Sequence, residues 1–349
     1  MSVSTQHPHP PVLGVIDSVT AGFDLVNRHP WLVAVPVLLD LLLWWGPRLG
    51  IAPLMTDFLR ATATAGLDMS PDYAQTMEAA RQSLSDMAQE VNLLGLLAAG
   101  FVGVPSLIGV SVLGRDLLEG AAPAFQVTSW LVLFPLILLL LLASVWIAAL
   151  YLVPLAQTVR GGALSRGAMA RALWVAGWRL TVWLGLLLAI LVLAGAPVMF
   201  VLGLVMLVSA NLASFGMGLL WIAVLWVGLY LFFVVQSITV GGVGVFRSIW
   251  NSLNVVRWNL SSALGLVILV NLIQRGLPLA WQSLATEAWG MPIGILGNAY
   301  VGTGLMAASM IFYRERYALW QSWVKMAQAR QAAAQAQSQS GSPEGSNQG

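Results

Sequence analysis

The sequence predicts an all-α polytopic membrane protein: a bundle of six transmembrane helices plus one broken re-entrant or interfacial segment. Three observations carry this. Hydrophobic residues make up 58% of the 349 positions, whereas Asp, Glu, Lys and Arg together make up 9%, against about 25% in soluble chains. The mean hydropathy is +0.82. Several apolar runs, such as LVLFPLILLLLLASVWIAALYLV (131–153), exceed the roughly 20 residues needed to cross a bilayer as helix. Lipid offers no hydrogen bonds to the backbone, so the runs must be helical.

In chain order, residues 1–11 are rich in proline and read as disordered, without the basic start and early apolar core of a secretory signal. Residues 12–28 have helical periodicity, with Val12, Ile16, Val19, Phe23 and Val26 on one face and Asp17, Thr20, Asp24 and Arg28 on another. The first apolar segment is 30–47. An acidic insertion follows over 48–91, with Asp57, Asp68, Asp72, Glu78, Asp86 and Glu90 against Arg48, Arg60 and Arg81. Segment 92–113 is apolar but broken by Gly95, Gly100, Gly103, Pro105 and Gly109, and is expected not to cross. Segments 129–154, 181–207, 214–235, 260–275 and 296–313 complete the six crossings. The last is expected to run on, with Tyr313, Tyr317, Trp320 and Val324 on one stripe. Residues 331–349 have a Gln/Ala/Ser/Gly composition that cannot bury enough apolar surface to order itself. Residues 12–330 thus form a single transmembrane domain.

Orientation follows from arginine. Loop 156–180 carries Arg160, Arg166, Arg171 and Arg179 without an acid. Loop 236–259 carries Arg247 and Arg257, and the C-terminal segment carries Arg314, Arg316, Lys325 and Arg330. These stretches share one side if 181–235 and 260–313 are hairpins, and that side is expected to be cytoplasmic with both termini. The acidic insertion is then extracytoplasmic. Seven crossings with the N-terminus outside is the competing arrangement.

A repeat is visible. GVIDSVTAGFDLVNR (14–28) aligns without gaps on GVFRSIWNSLNVVRW (244–258), and a fainter copy starts at Arg171-Ala-Leu-Trp174. Each copy precedes a hairpin. The third lead-in places Phe246, Ile249, Trp250, Leu253 and Val256 on one face and Arg247, Asn251 and Asn254 on the other. Two readings stay open for the lead-ins: helices lying in the membrane interface, or caps packed over the bundle.

Chemistry-bearing residues are few. The absence of cysteine excludes disulfides and thiolate metal sites, and His7, His9 and His29 all precede the first long apolar run. HExxH, GxSxG and Walker A motifs are absent, and Gly241-Gly242-Val243-Gly244 follows a membrane helix rather than a strand, so helix–helix turns account for it and for Gly161-Gly162. No enzyme activity, cofactor or metal is expected, and a net charge of +2 gives no argument for nucleic acid. Asp40 stands out, because an acid within a span costs about 2.5–3.5 kcal/mol. It marks an intramembrane polar site with Asn271 and Arg275, or an interhelical hydrogen bond between repeats. Arg160, Arg166, Arg171 and Arg179 are candidate lipid-headgroup contacts. Most of the 16 tryptophans, including Trp45, Trp130, Trp174, Trp183 and Trp250, fit interfacial belts. Asn211 is expected to cap the turn at 208–213.

Residues 233–273 pass from a span through a short Gly-containing turn and an amphipathic helix to another span, with Gln236, Gly244, Ser248 and Arg257 in place. This pattern resembles a diffuse group of prokaryotic polytopic proteins, similar to the membrane domain attached to some glycerophosphodiester phosphodiesterases. The resemblance implies a six-span helical fold of poorly defined activity, without the phosphodiesterase. The expected function is a non-enzymatic, membrane-organising or accessory protein of the bacterial inner membrane that engages anionic lipid or a membrane protein partner. The alternative is a transporter or channel for a small or lipidic solute with Asp40 in a buried polar site.

Overall fold

A computed structural model describes residues 13–64, 71–98, 103–108, 124–162, 165–284 and 289–340. The chain termini, 99–102 and 109–123 lie outside the described residues, and with them most of the two ends expected to be disordered and much of the 92–113 segment.

Helix α1 (Val15–Arg28) leads through a 3₁₀ turn at Pro30–Val33 into α2 (Ala34–Trp45). Strand β1 (Arg48–Gly50), α3 (Ala52–Thr64), α4 (Pro71–Glu90), a 3₁₀ segment (Leu93–Ala98) and strand β2 (Ala124–Gln126) make up the insertion. β1 and β2 pair in parallel, Leu49 opposite Phe125. The bundle continues with α5 (Trp130–Arg160), α6 (Arg166–Ile190), a π-turn (Leu191–Gly195), α7 (Ala196–Val208), α8 (Ala210–Leu231), α9 (Val234–Thr239), α10 (Val245–Trp258), α11 (Leu260–Leu284) and α12 (Gly290–Ser340).

Among the described residues, five helical stretches are long and apolar enough to cross a membrane: 130–160, 166–208, 210–239, 260–281 and 290–333. Each contains a segment read from the sequence as a crossing. The sixth is different. Residues 30–45 alone measure about 24 Å at ~1.5 Å per residue, short of a hydrocarbon core of about 30 Å. They are long enough only together with α1, from which they are bent by 98°. The break falls at His29-Pro30, where proline supplies no N–H to continue the ladder.

The lead-in helices α1 and α10 pack against other helices of the bundle. α1 runs antiparallel along α12: the Leu13 N–H donates to Glu315 at one end, and the Tyr300 hydroxyl donates to Asn27 at the other. Between these points Gly22 sits on the backbone of Gly304 and Ala308, and Phe23 lies against Gly304. Small residues on facing helices permit this approach. Ser18, Gly22 and Val26 are the buried positions of α1. At the aligned positions of α10, Ser248, Ser252 and Val256 are also buried. Val26 and Val256 of the expected apolar faces are buried, and Asp17, Thr20, Asp24, Arg28 and Arg247 are exposed as expected, but three apolar positions and one polar position are corrected. Ile16, Phe246 and Trp250 are exposed, whereas Asn251, assigned to the outer face, is buried. Alongside valines, what points inward is small or hydrogen-bonding, because a helix wedged between helices needs close approach and interhelical bonds as well as bulk.

Those bonds are explicit. The Ser252 hydroxyl donates to the Tyr230 carbonyl at 2.6 Å and accepts the Phe233 N–H, bridging the break between α8 and α9. The Ser237 hydroxyl accepts from Tyr313 at 2.9 Å and from the Asn251 amide at 3.4 Å. The largest fully buried side chains, among them Tyr151, Phe233, Phe312 and Tyr313, lie where α5, α9 and α12 meet.

Segment 92–113 does not span within its described part. Residues 103–108 dip into the bundle, with Val104, Pro105, Ser106 and Leu107 buried. Pro105 lies against Gly302, and Leu107 lies against Gly294. Other expectations are adjusted. α11 continues past 275 to Leu284, through Pro278. Ser209, not Asn211, caps α8 by accepting the Leu212 N–H. Trp183 is buried rather than part of a belt. α12 persists to Ser340, although residues 331–333 gain no burial there.

Candidate functional site: an arginine-lined cleft

The arginine-bearing stretches come together at one end of the bundle. Arg314 of α12 donates to the Val159 carbonyl at the end of α5. Arg160 of α5 donates through Nε to the Val240 carbonyl at 2.8 Å and through Nη2 to the Thr239 carbonyl at 2.6 Å, at the end of α9. Arg179 of α6 donates to the Gly242 carbonyl at 2.6 Å. Arg316 donates to Asn259 and to the Leu13 carbonyl. Unsatisfied carbonyls at helix C-termini carry partial negative charge, so arginine is the residue type that closes them. Gly161 and Gly242 make the sharp turns with φ of 75° and 64°, a left-handed conformation that side chains disfavour.

Between the ends of α5 and α9 and the first turns of α6 is a cleft of about 560 Å³. Arg160, Arg171 and Arg179 line it, with Ser165 and Gln157, and Val153, Val175 and Ile238 form its apolar wall. Ser165 N-caps α6 by accepting the Ala168 N–H. Among the described residues none of the three arginines meets a carboxylate; the ion pairs there are Arg60–Asp57 and Arg81–Glu78, both in the insertion. Arg171 is exposed and has no hydrogen bond among the described residues. Gln157 is 8% exposed, and its side-chain amide is likewise without a hydrogen bond there.

The four expected headgroup arginines therefore divide. Arg160 and Arg179 are spent in part on backbone carbonyls, and only Arg166 and Arg171 project from α6 without a protein partner among the described residues. Their spacing in sequence showed a basic loop, but not that α9 would end beneath two of them.

The intramembrane polar site is also corrected. Asp40 is fully buried. It accepts the Leu107 N–H at 2.9 Å, the Ile108 N–H at 3.3 Å and the Ser106 hydroxyl. Asn271 donates to Val267 within its own helix at 2.8 Å, and Arg275 is exposed. The three are not brought together. Asp40 instead fastens the dipping segment 103–108 to α2. Nothing in the spacing of residues 40 and 106 pointed to this pairing.

The fold defines an all-α polytopic membrane protein with a cationic cleft at one end of its bundle. Compared with protein-family models, curated proteins and solved structures, the chain matches none.

Proposed function

We propose that the protein is a non-enzymatic, membrane-organising or accessory subunit of the bacterial inner membrane that engages anionic lipid at its arginine-bearing end. The observation that carries this is the cleft with three arginines and no carboxylate among the described residues. Each basic residue near an anionic leaflet contributes about 1 kcal/mol of attraction. Exposed Trp174, Trp178 and Trp250 lie on the helices beside it, and indoles favour headgroup depth. The repeat read at 14–28 and 244–258, with the fainter copy at 171, is part of this proposal. The resemblance to phosphodiesterase-linked membrane domains is held at the level of the six-span pattern. The transporter reading has less support, since each hydrogen bond described for Asp40 goes to the 106–108 segment.

The arginine-bearing end and both termini are assigned to the cytoplasm by the positive-inside rule. Single cysteines in this Cys-free chain test it. Ser165→Cys and Arg330→Cys, both exposed, are expected to resist an impermeant thiol reagent in intact cells, and Ser83→Cys on α4 is expected to react. The opposite pattern reverses the orientation. For the lipid reading, full-length protein extracted in native nanodiscs is expected to be enriched in anionic over zwitterionic phospholipid relative to bulk membrane. Bulk composition around the protein would refute it.

A further inference from the structure

Building on the anionic-lipid reading, we propose that the cleft between α5, α6 and α9 holds the phosphomonoester headgroup of a lipid. A phosphodiester headgroup brings one negative charge and two terminal oxygens. A phosphomonoester brings about −1.5 to −2 at neutral pH and three strong acceptor oxygens. The cleft is built for the second. Three guanidinium groups line it without a carboxylate among the described residues. Arg171 has none of its donors engaged there, and Arg160 retains its Nη1 amines beyond the Nε and Nη2 bonds to α9. Gln157 lines the cleft and adds an amide donor that has no hydrogen bond within the described protein. A phosphate oxygen in the cleft would give this donor an acceptor. The α6 N-terminus, capped at Ser165, adds the positive end of a 25-residue helix.

The remainder of the cleft argues for a lipid source. Val153, Val175 and Ile238 give it an apolar wall, suited to the glycerol backbone and first methylenes. A volume of about 560 Å³ lies within the usual range for small-ligand sites, roughly 300–1,000 Å³. Trp174 and Trp178, exposed on the same helix, place the cleft at headgroup depth. Arg160 and Arg179 brace helix ends, so Arg171 is the residue that can be changed without disturbing the fold.

The test uses the full chain in detergent with matched dioleoyl phosphatidic acid, phosphatidylglycerol and phosphatidylcholine, counting retained lipids by native mass spectrometry. Phosphatidic acid is expected to be retained over phosphatidylglycerol by about tenfold, the worth of one good charge-assisted contact. Arg171→Gln is expected to bring the two to parity, and Arg166→Gln, outside the cleft, to leave the preference intact. Equal retention of both anionic lipids above phosphatidylcholine would overturn the phosphomonoester assignment and leave the anionic-lipid reading standing. No excess over phosphatidylcholine would overturn both. An unchanged preference in Arg171→Gln would overturn the placement in this cleft. Displacement of phosphatidic acid by equimolar glycerol 3-phosphate would overturn the lipid source in favour of a soluble phosphomonoester.

Discussion

Asp40→Ala is expected to lower the stability of the folded protein by about 3–5 kcal/mol. The carboxylate accepts from the Leu107 and Ile108 N–H groups and the Ser106 hydroxyl. Removing it takes these carboxylate hydrogen bonds away beside an apolar cluster of Leu107, Met291 and Ile295. Each buried hydrogen bond lost to a charged acceptor costs about 1–3 kcal/mol, and the hydroxyl can turn elsewhere, so the sum stays below the upper bound. The loss is local in cause: segment 103–108 is expected to leave its seat against Gly302 and Gly294. Asp40→Asn keeps one acceptor oxygen and is expected to recover about half of the loss. Unfolding of the three proteins in mixed micelles, followed by circular dichroism, measures this. Coincident transitions for wild type and Asp40→Ala would show that the carboxylate does not hold the segment.

Gly22→Leu is expected to have a comparable effect, about 3 kcal/mol or more, by prising α1 from α12. A Cβ at this position would lie 2.6 Å from the Ala308 nitrogen and 2.9 Å from its Cα. Those are backbone atoms and cannot swing away. Overpacking usually costs about 1–3 kcal/mol where side chains can shift; here the helices themselves must separate. The interhelical bonds Leu13–Glu315 and Tyr300–Asn27 would go with them. Limited proteolysis reads the outcome directly. New cleavage within 15–28 is expected in Gly22→Leu, an intermediate rate in Gly22→Ala, and resistance in the wild type. A fully resistant Gly22→Leu would rule out the packing described.

Much of the architecture was legible because its causes are local. The run at 131–153 must be helical in lipid whatever surrounds it, and α5 covers it. Gly95, Gly100, Gly103, Pro105 and Gly109 interrupt the apolar run, and its described residues 103–108 are not helical. Gly161-Gly162 and Gly241-Gly242 end helices because glycine accepts the left-handed turn. The lead-ins were legible as helices but not in their placement. Their bulky apolar residues suggested the buried face, yet Phe246 and Trp250 face outward and Ser248, Asn251 and Ser252 face inward. In water bulk marks the core. Between membrane helices lipid receives bulk equally well, and closeness and hydrogen bonding decide.

The candidate site was half legible for the same reason. The concentration of arginine in 156–180 is a property of composition, and it marked the end of the bundle where the cleft lies. The division of labour among Arg160, Arg166, Arg171 and Arg179 depends on where α9 ends, some 60 to 80 residues away in sequence. Asp40 was conspicuous by its cost in lipid, but its partners lie 66–68 residues downstream in a segment without a regular pattern.

The sequence by itself determined that this chain is an all-α polytopic membrane protein, where most of its spans lie, and that its basic residues gather in three connectors. These follow from the free energy of placing each residue in lipid or at its border, which needs no knowledge of neighbours. Only the tertiary structure decided that α1 lies along α12, that Asp40 fastens residues 106–108, and that Arg160 and Arg179 close α9 while Arg171 is left facing a cleft. Each of these depends on which hydrogen-bonding groups meet across distant segments, a property of the packed bundle rather than of any stretch of chain.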